Sequence, residues 1–170
     1  MSRSTWFLAL AAALTGCHPA ETTGPESATH LPPALAWGPE TPHFNLEVIL
    51  QNDAGGFGHV KFRQPNDADL IVYLDTWIRG LAPNTSYELQ RAVDTTVDDD
   101  CTSTAWLTLG KGAAAQAILT DASGTGREEL FRSVAAFPVG ATFDIHFRVI
   151  EAGTGAVALT SECYQFTISQ

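Results

Sequence analysis

Few residues in this chain have types and spacings that could do chemistry, and the densest group is acidic. Asp94, Asp98, Asp99 and Asp100 crowd the stretch DTTVDDDC that ends at Cys101. Clustered carboxylates with backbone carbonyls suit a hard cation such as calcium, because binding relieves their mutual repulsion. A solvated acidic loop is the alternative reading. His59 and His146 are the only histidines from residue 44 onward, and they lie far apart with no third ligand suggested, so each reads as a surface-strand histidine. Trp77 and Trp106 read as core anchors; if both were exposed on one face they would suit stacking on sugar rings. Asp121 to Gly126, DASGTG, echoes the start of an EF-hand, yet its twelfth position is Arg132 where a bidentate glutamate belongs. The glycine-rich AGGFG, Ala54 to Gly58, leads into neither a helix pattern nor GK[ST], so it reads as a turn or bulge and not as a phosphate cradle. No serine stands in a GxSxG setting. These readings predict a chain that is not an enzyme, with no cofactor and no metal beyond the calcium candidates.

The three cysteines say more about address than about activity. Arg3 precedes a short apolar stretch from Trp6 to Leu14, followed by the small residues Thr15 and Gly16 and then Cys17. This is a signal-peptide pattern, and its apolar run is about half of the ~20 residues that a spanning helix needs. Leu14-Thr15-Gly16-Cys17 resembles the bacterial lipobox, which implies lipidation at Cys17 after removal of residues 1–16. The competing reading is an ordinary secretory signal cleaved near Ala13. Acylation of Cys17 leaves Cys101 and Cys163, an even pair in an oxidising compartment, and predicts one disulfide between them.

With 9 Lys and Arg against 19 Asp and Glu, the chain has a formal net charge of −10. Such a surface repels phosphate backbones and anionic headgroups, which argues against nucleic acid as a partner and assigns membrane attachment to acyl chains instead of a basic patch. Residues 17–43 hold six of the nine prolines and no alternating apolar pattern. They predict a semi-extended tether, in which Trp37 is the one side chain that could dock on a folded body. The expected location is therefore the bacterial cell envelope, extracytoplasmic and lipid-anchored. His18 after the cysteine favours the outer membrane where the host has two.

What must position the candidate residues is a set of strands over residues 44–170. FNLEVILQ, HVKFRQ, DLIVYLDTWI, TSYELQRAV, AWLTLG, AQAILTD, EELFRSVAA, TFDIHFRVIE and AVALTSECYQFTIS alternate β-branched or aromatic residues with polar ones. AGGFG, QPND, GLAPN, DASGTG, FPVG and EAGTG supply turn residues between them. In TFDIHFRV, Phe143, Ile145, Phe147 and Val149 share one face and Asp144, His146 and Arg148 the other, which predicts a core side and a wet side. REELFRSVAA would tolerate a helix, but its neighbours favour a strand. In GLAPNTSYEL, Tyr87 is placed to bond back to the turn backbone, as in the tyrosine corner of Greek-key sandwiches. The expected fold is all-β, an antiparallel Greek-key β-sandwich of about eight to nine strands, immunoglobulin-like or superoxide dismutase-like.

The order Gly58-His59-Val60-Lys61-Phe62, Gly80-Leu81, Ser86 to Asp94, Cys101-Thr102-Ser103, Thr120 to Gly124, Phe147 to Glu151 and Cys163 resembles the copper–zinc superoxide dismutase sandwich, over about Asn45 to Ile168. That resemblance implies a disulfide from the CTS cysteine to one near the C-terminus. It also implies copper-binding histidines that this chain lacks: Glu88-Leu89-Gln90 stands for His-x-His, Ile150 for a later histidine, and Thr160 for an anion-guiding arginine. Copper needs several imidazoles at fixed geometry. The expectation is thus a sandwich without the enzyme, a binding or structural module of the envelope whose partner is an envelope protein or a glycan. A calcium-stabilised adhesion or glycan-binding module is the first alternative, and a superoxide dismutase-related metalloenzyme the second.

Overall fold

The computed structural model describes residues 45–169, and all regular structure within them is β. Strands β1 (Asn45–Gln51), β2 (Phe57–Arg63) and β3 (Ile71–Arg79) form a meander, and β4 (Ser86–Asp94) follows. Four two-residue strands come next: β5 (Leu107–Thr108), β6 (Gly110–Lys111), β7 (Ala114–Ala115) and β8 (Ile118–Leu119). The last four are β9 (Gly126–Ser133), β10 (Thr142–Glu151), β11 (Val157–Ser161) and β12 (Tyr164–Thr167). REELFRSVAA is thus a strand and not a helix over Gly126–Ser133.

The strands hydrogen-bond in the order β5-β4-β10-β11-β1-β2-β3-β9-β6-β7, with β12 on β10 and β8 on β4. One continuous sheet results, antiparallel except where β6 meets β9 at Lys111↔Phe131. The stretch 107–119 lies between β4 and β9. It pairs with β4 at Gln90↔Thr108 and Tyr87↔Ile118, donates from Leu109 N to the Leu89 carbonyl at 2.8 Å, and meets β9 through Lys111. The sheet is therefore barrel-like. Twelve strands appear in place of eight to nine for two physical reasons. AWLTLG and AQAILTD zigzag between two partners and so break into pairs of two-residue strands, and the C-terminal segment divides at Glu162-Cys163, where Cys163 leaves the ladder to bond Cys101.

Alternation puts Val48, Leu50, Val60, Phe62, Leu74, Ile78, Leu89, Leu130, Phe147 and Val149 inside, each at most 3 % exposed. Large side chains buried to this degree contribute roughly 1.5–3 kcal/mol each. Phe62 meets Phe166 edge-on at 4.6 Å between centroids, and Phe143 meets Phe166 at 5.5 Å. Gln64, fully buried, holds the chain end by two bonds: its Nε2 donates to the Ser169 carbonyl at 2.9 Å, and Ser169 N donates to its Oε1 at 3.1 Å.

The turn before β4 closes as its sequence suggests. Ala82 N donates to the Tyr87 hydroxyl at 3.1 Å. Gly124, at φ +74°, packs so closely under Leu81 that a Cβ would overlap the Leu81 carbonyl oxygen, so the turn 121–125 is held against the same corner.

Candidate functional site

The acidic loop and β10 form a single structure. Asp94 and Asp144 are cross-strand partners on β4 and β10, and the outer face they share was expected to be wet. It is roofed instead. Cys101 is bonded to Cys163, with 5.4 Å between their Cα atoms, and this bridge ties residues 95–106 down over the outer face of β10. Asp144 is consequently 0 % exposed, and its Oδ2 accepts from the backbone N–H groups of Asp98 at 2.9 Å and Asp99 at 2.8 Å. Its Oδ1 has no partner. A carboxylate at this position organises the loop by drawing its amides inward.

The four calcium candidates are mostly used in the same way. Asp94 accepts from the Thr102 hydroxyl at 3.3 Å and from Ser103 N at 3.0 Å. Asp98 Oδ1 accepts from Asp100 N at 3.2 Å, a local turn bond. Asp99, at φ +63°, offers its amide to Asp144. Among the described residues no three His, Cys, Asp or Glu side chains come together as a metal ion would need.

Trp106, just before β5, lies on the outer face of β10. The Arg148 guanidinium sits 4.1 Å from its ring centroid, and the His146 ring lies 4.6 Å away, tilted by 35°. Arg148 Nε donates to Gln90 Oε1 at 2.8 Å; Gln90 Nε2 in turn donates to the Thr108 hydroxyl at 2.9 Å, and that hydroxyl reaches Glu88 Oε2 at 3.4 Å. His146 Nε2 is 3.0 Å from the Ser103 carbonyl. Stacking of this kind contributes roughly 0.5–2 kcal/mol where water is partly excluded.

Glu88, Gln90 and Ile150, the positions at which the superoxide dismutase resemblance implies imidazoles, do lie side by side on the outer faces of β4 and β10. They carry a carboxylate, an amide and an alkyl group, the amide oxygen already accepting from the Arg148 guanidinium, a donor set that does not fit copper. His59 lies away on β2, against Glu47, which also holds Arg63 at 3.1 Å.

Trp77 is not a core anchor either. It lies on the outer face of β3, edge-on to Phe57 at 6.0 Å, with Arg79 5.3 Å from its ring. Trp77 and Trp106 are separated across the sheet by β11, β1 and β2, so the two rings do not make one stacking platform. Asp121 serves its turn. Its Oδ1 accepts from Ser123 N, the Ser123 hydroxyl and Thr125 N at 2.8, 2.6 and 3.0 Å, and these bonds, the hydroxyl's first, hold its carboxyl below the usual carboxylate range. Cys17, the residues 1–16 and 17–43, and Trp37 lie outside the described residues.

Asp144, Arg148 and Gln90 are the residues here that residue types alone did not single out. Period-two alternation places Asp144 and Arg148 on one face of β10, and the roof over that face follows only from the path of the disulfide-tied loop. Comparison with protein-family models, with curated proteins and with solved structures found no match.

Proposed function

We propose that this chain is a lipid-anchored module of the bacterial cell envelope that binds and does not catalyse. In this reading residues 1–16 are the lipoprotein signal, Cys17 carries the lipid, residues 17–43 are the tether, and the barrel-like sheet is a flattened Greek-key sandwich, superoxide dismutase-like or immunoglobulin-like. The observation that carries it is the Cys101–Cys163 bridge. A structural disulfide fits an oxidising, extracytoplasmic compartment, and it leaves Cys17 as the odd cysteine at the end of an apolar run. Binding is favoured over catalysis because the chemistry-bearing side chains of the roofed face are committed to one another: Asp94, Asp98 and Asp144 to loop amides, His146 to Ser103, Arg148 to Gln90 and Trp106.

The test is metabolic labelling with a tagged fatty acid in a bacterial host, followed by membrane fractionation. The wild-type chain is expected to take up label and fractionate with membranes, the outer one where there are two. Cys17→Ser is expected to take up none and to accumulate as uncleaved precursor. Labelling of Cys17→Ser equal to wild type would defeat the reading.

A further inference from the structure

Two arginines face the wrong way. Along β4 the residues Tyr87, Leu89, Arg91 and Val93 point into the barrel, and along β9 so do Gly126, Glu128, Leu130 and Arg132. Arg91 and Arg132 thus enter the interior where β4 and β9 end and β10 begins. Glu128 is paired with Lys111 at 2.8 Å. Among the described residues no carboxylate reaches Arg91 or Arg132, and the one bond seen is from Arg132 Nη1 to the Gly112 carbonyl at 3.4 Å. Burial first, and then the like charge of Arg132, pull the Arg91 guanidinium below its ordinary range, although an arginine remains protonated at neutral pH. Two inward cations that repel each other destabilise an unliganded protein.

Beside them the core is incompletely filled. A cavity of about 30 Å³ is lined by both arginines and by Phe62, Leu74, Phe143 and Phe147. Phe137, carried on the connection between β9 and β10, lines the same cavity while remaining 38 % exposed, so one wall of the opening faces solvent. At roughly 10–15 Å³ per water-sized occupant, the space takes a few carbon atoms but not a long chain. Convergent polar groups at the mouth of an apolar cavity are the usual form of a small-ligand site; guanidinium forks match carboxylates and phosphates alike, and the apolar lining favours a carboxylate that carries a short hydrocarbon body.

We propose that this end of the barrel binds a small organic carboxylate, its oxygens held between Arg91 and Arg132 and its compact apolar body seated against Phe62, Phe143 and Phe147. This deepens the reading of the domain as a binding module by naming its ligand class. The two stand or fall by different measurements. Loss of acylation in Cys17→Ser says nothing of this cavity, and failure of the titration below leaves the envelope address untouched.

The experiment is a calorimetric titration of the full chain with propionate, with 1-propanol as the uncharged counterpart and decanoate as the long-chain one. Saturable propionate binding with Kd of about 1 mM or tighter is expected, with 1-propanol at least about tenfold weaker and decanoate no tighter than propionate. Arg91→Gln and Arg132→Gln are each expected to weaken propionate about ten- to hundredfold, while leaving 1-propanol binding and the melting temperature of the free protein unchanged or raising the latter. An arginine with a purely structural role would lower that melting temperature on substitution. No saturable propionate binding up to about 10 mM, equal affinity for acid and alcohol, tighter binding of decanoate, or variants that bind propionate as wild type does would each overturn the proposal.

Discussion

Removing the Cys101–Cys163 bridge is expected to cost the domain a large share of its stability without unfolding it. The bridge joins residues 62 apart in sequence, and in the chain-entropy model closing a loop of that length removes about 4 kcal/mol of conformational freedom from the unfolded ensemble. Net stabilities run at ~5–15 kcal/mol for a typical domain, so the loss is severe but survivable. The folded side of the balance changes less, since residues 95–106 keep the two bonds from Asp98 and Asp99 to Asp144 and the stack of Trp106 on Arg148. The assay is urea unfolding of the oxidised domain against Cys101→Ser/Cys163→Ser. With a denaturant slope of about 1.5 kcal/mol per molar, the midpoint should fall by roughly 2–3 M. Amide exchange separates the global from the local effect: Asp98 and Asp99 should lose protection only in step with global unfolding if the roof stays seated. A midpoint shift equivalent to less than about 1 kcal/mol would refute the reasoning. So would early exchange of those two amides, by showing that the bridge alone holds the roof down.

Asp144→Ala should cost about 2–4 kcal/mol by orphaning the Asp98 and Asp99 amides beneath the roof, and Asp144→Asn, which keeps an acceptor, clearly less; a cost near the ~0.5 kcal/mol of an ordinary surface substitution would contradict the assigned role. Tyr164 accepts from Ile49 N at 3.0 Å, and burial raises its phenol above the ordinary tyrosine value despite that bond. A raised folded pKa means that its contribution is complete below the unfolded value and disappears as pH rises through the folded one. Unfolding measured across the alkaline range should therefore show wild-type stability falling more steeply than that of Tyr164→Phe.

Most of the long strands were legible because side-chain parity is local. Phe143, Ile145, Phe147 and Val149 are all inside, as TFDIHFRV implies. Tyr87 finds its corner because the turn and the hydroxyl lie five residues apart. The two-residue strands were not legible, since two residues cannot display a period. Nor was the roof: whether Asp144 faces water depends on where a distant cysteine pulls residues 95–106, which no pattern in β10 encodes. The same holds for Trp106, which precedes β5 in the disulfide-tied loop and packs on Arg148; Trp77 differs, because its outer place follows from alternation with Val72, Leu74 and Ile78 along β3 and only its aromatic character suggested the core. Arg91 is a different case. Its place on the face of Tyr87 and Leu89 can be counted directly along YELQR, and the anomaly lies in its charge and not in its position.

The stretch 107–119 is the only material between β4 and β9 among the described residues, and it holds each by a few bonds from strands two residues long. Should it lift away, two long strand edges become exposed together, each with free N–H and C=O groups and each complementary to what the other has lost. A second molecule in the same condition offers the same pair of edges, so the opened state favours exchange between copies or edge-to-edge growth over simple unfolding. Where copies meet at high local concentration, the persistence of the closed sheet in each then rests on how tightly this short zigzag is held to its two neighbours.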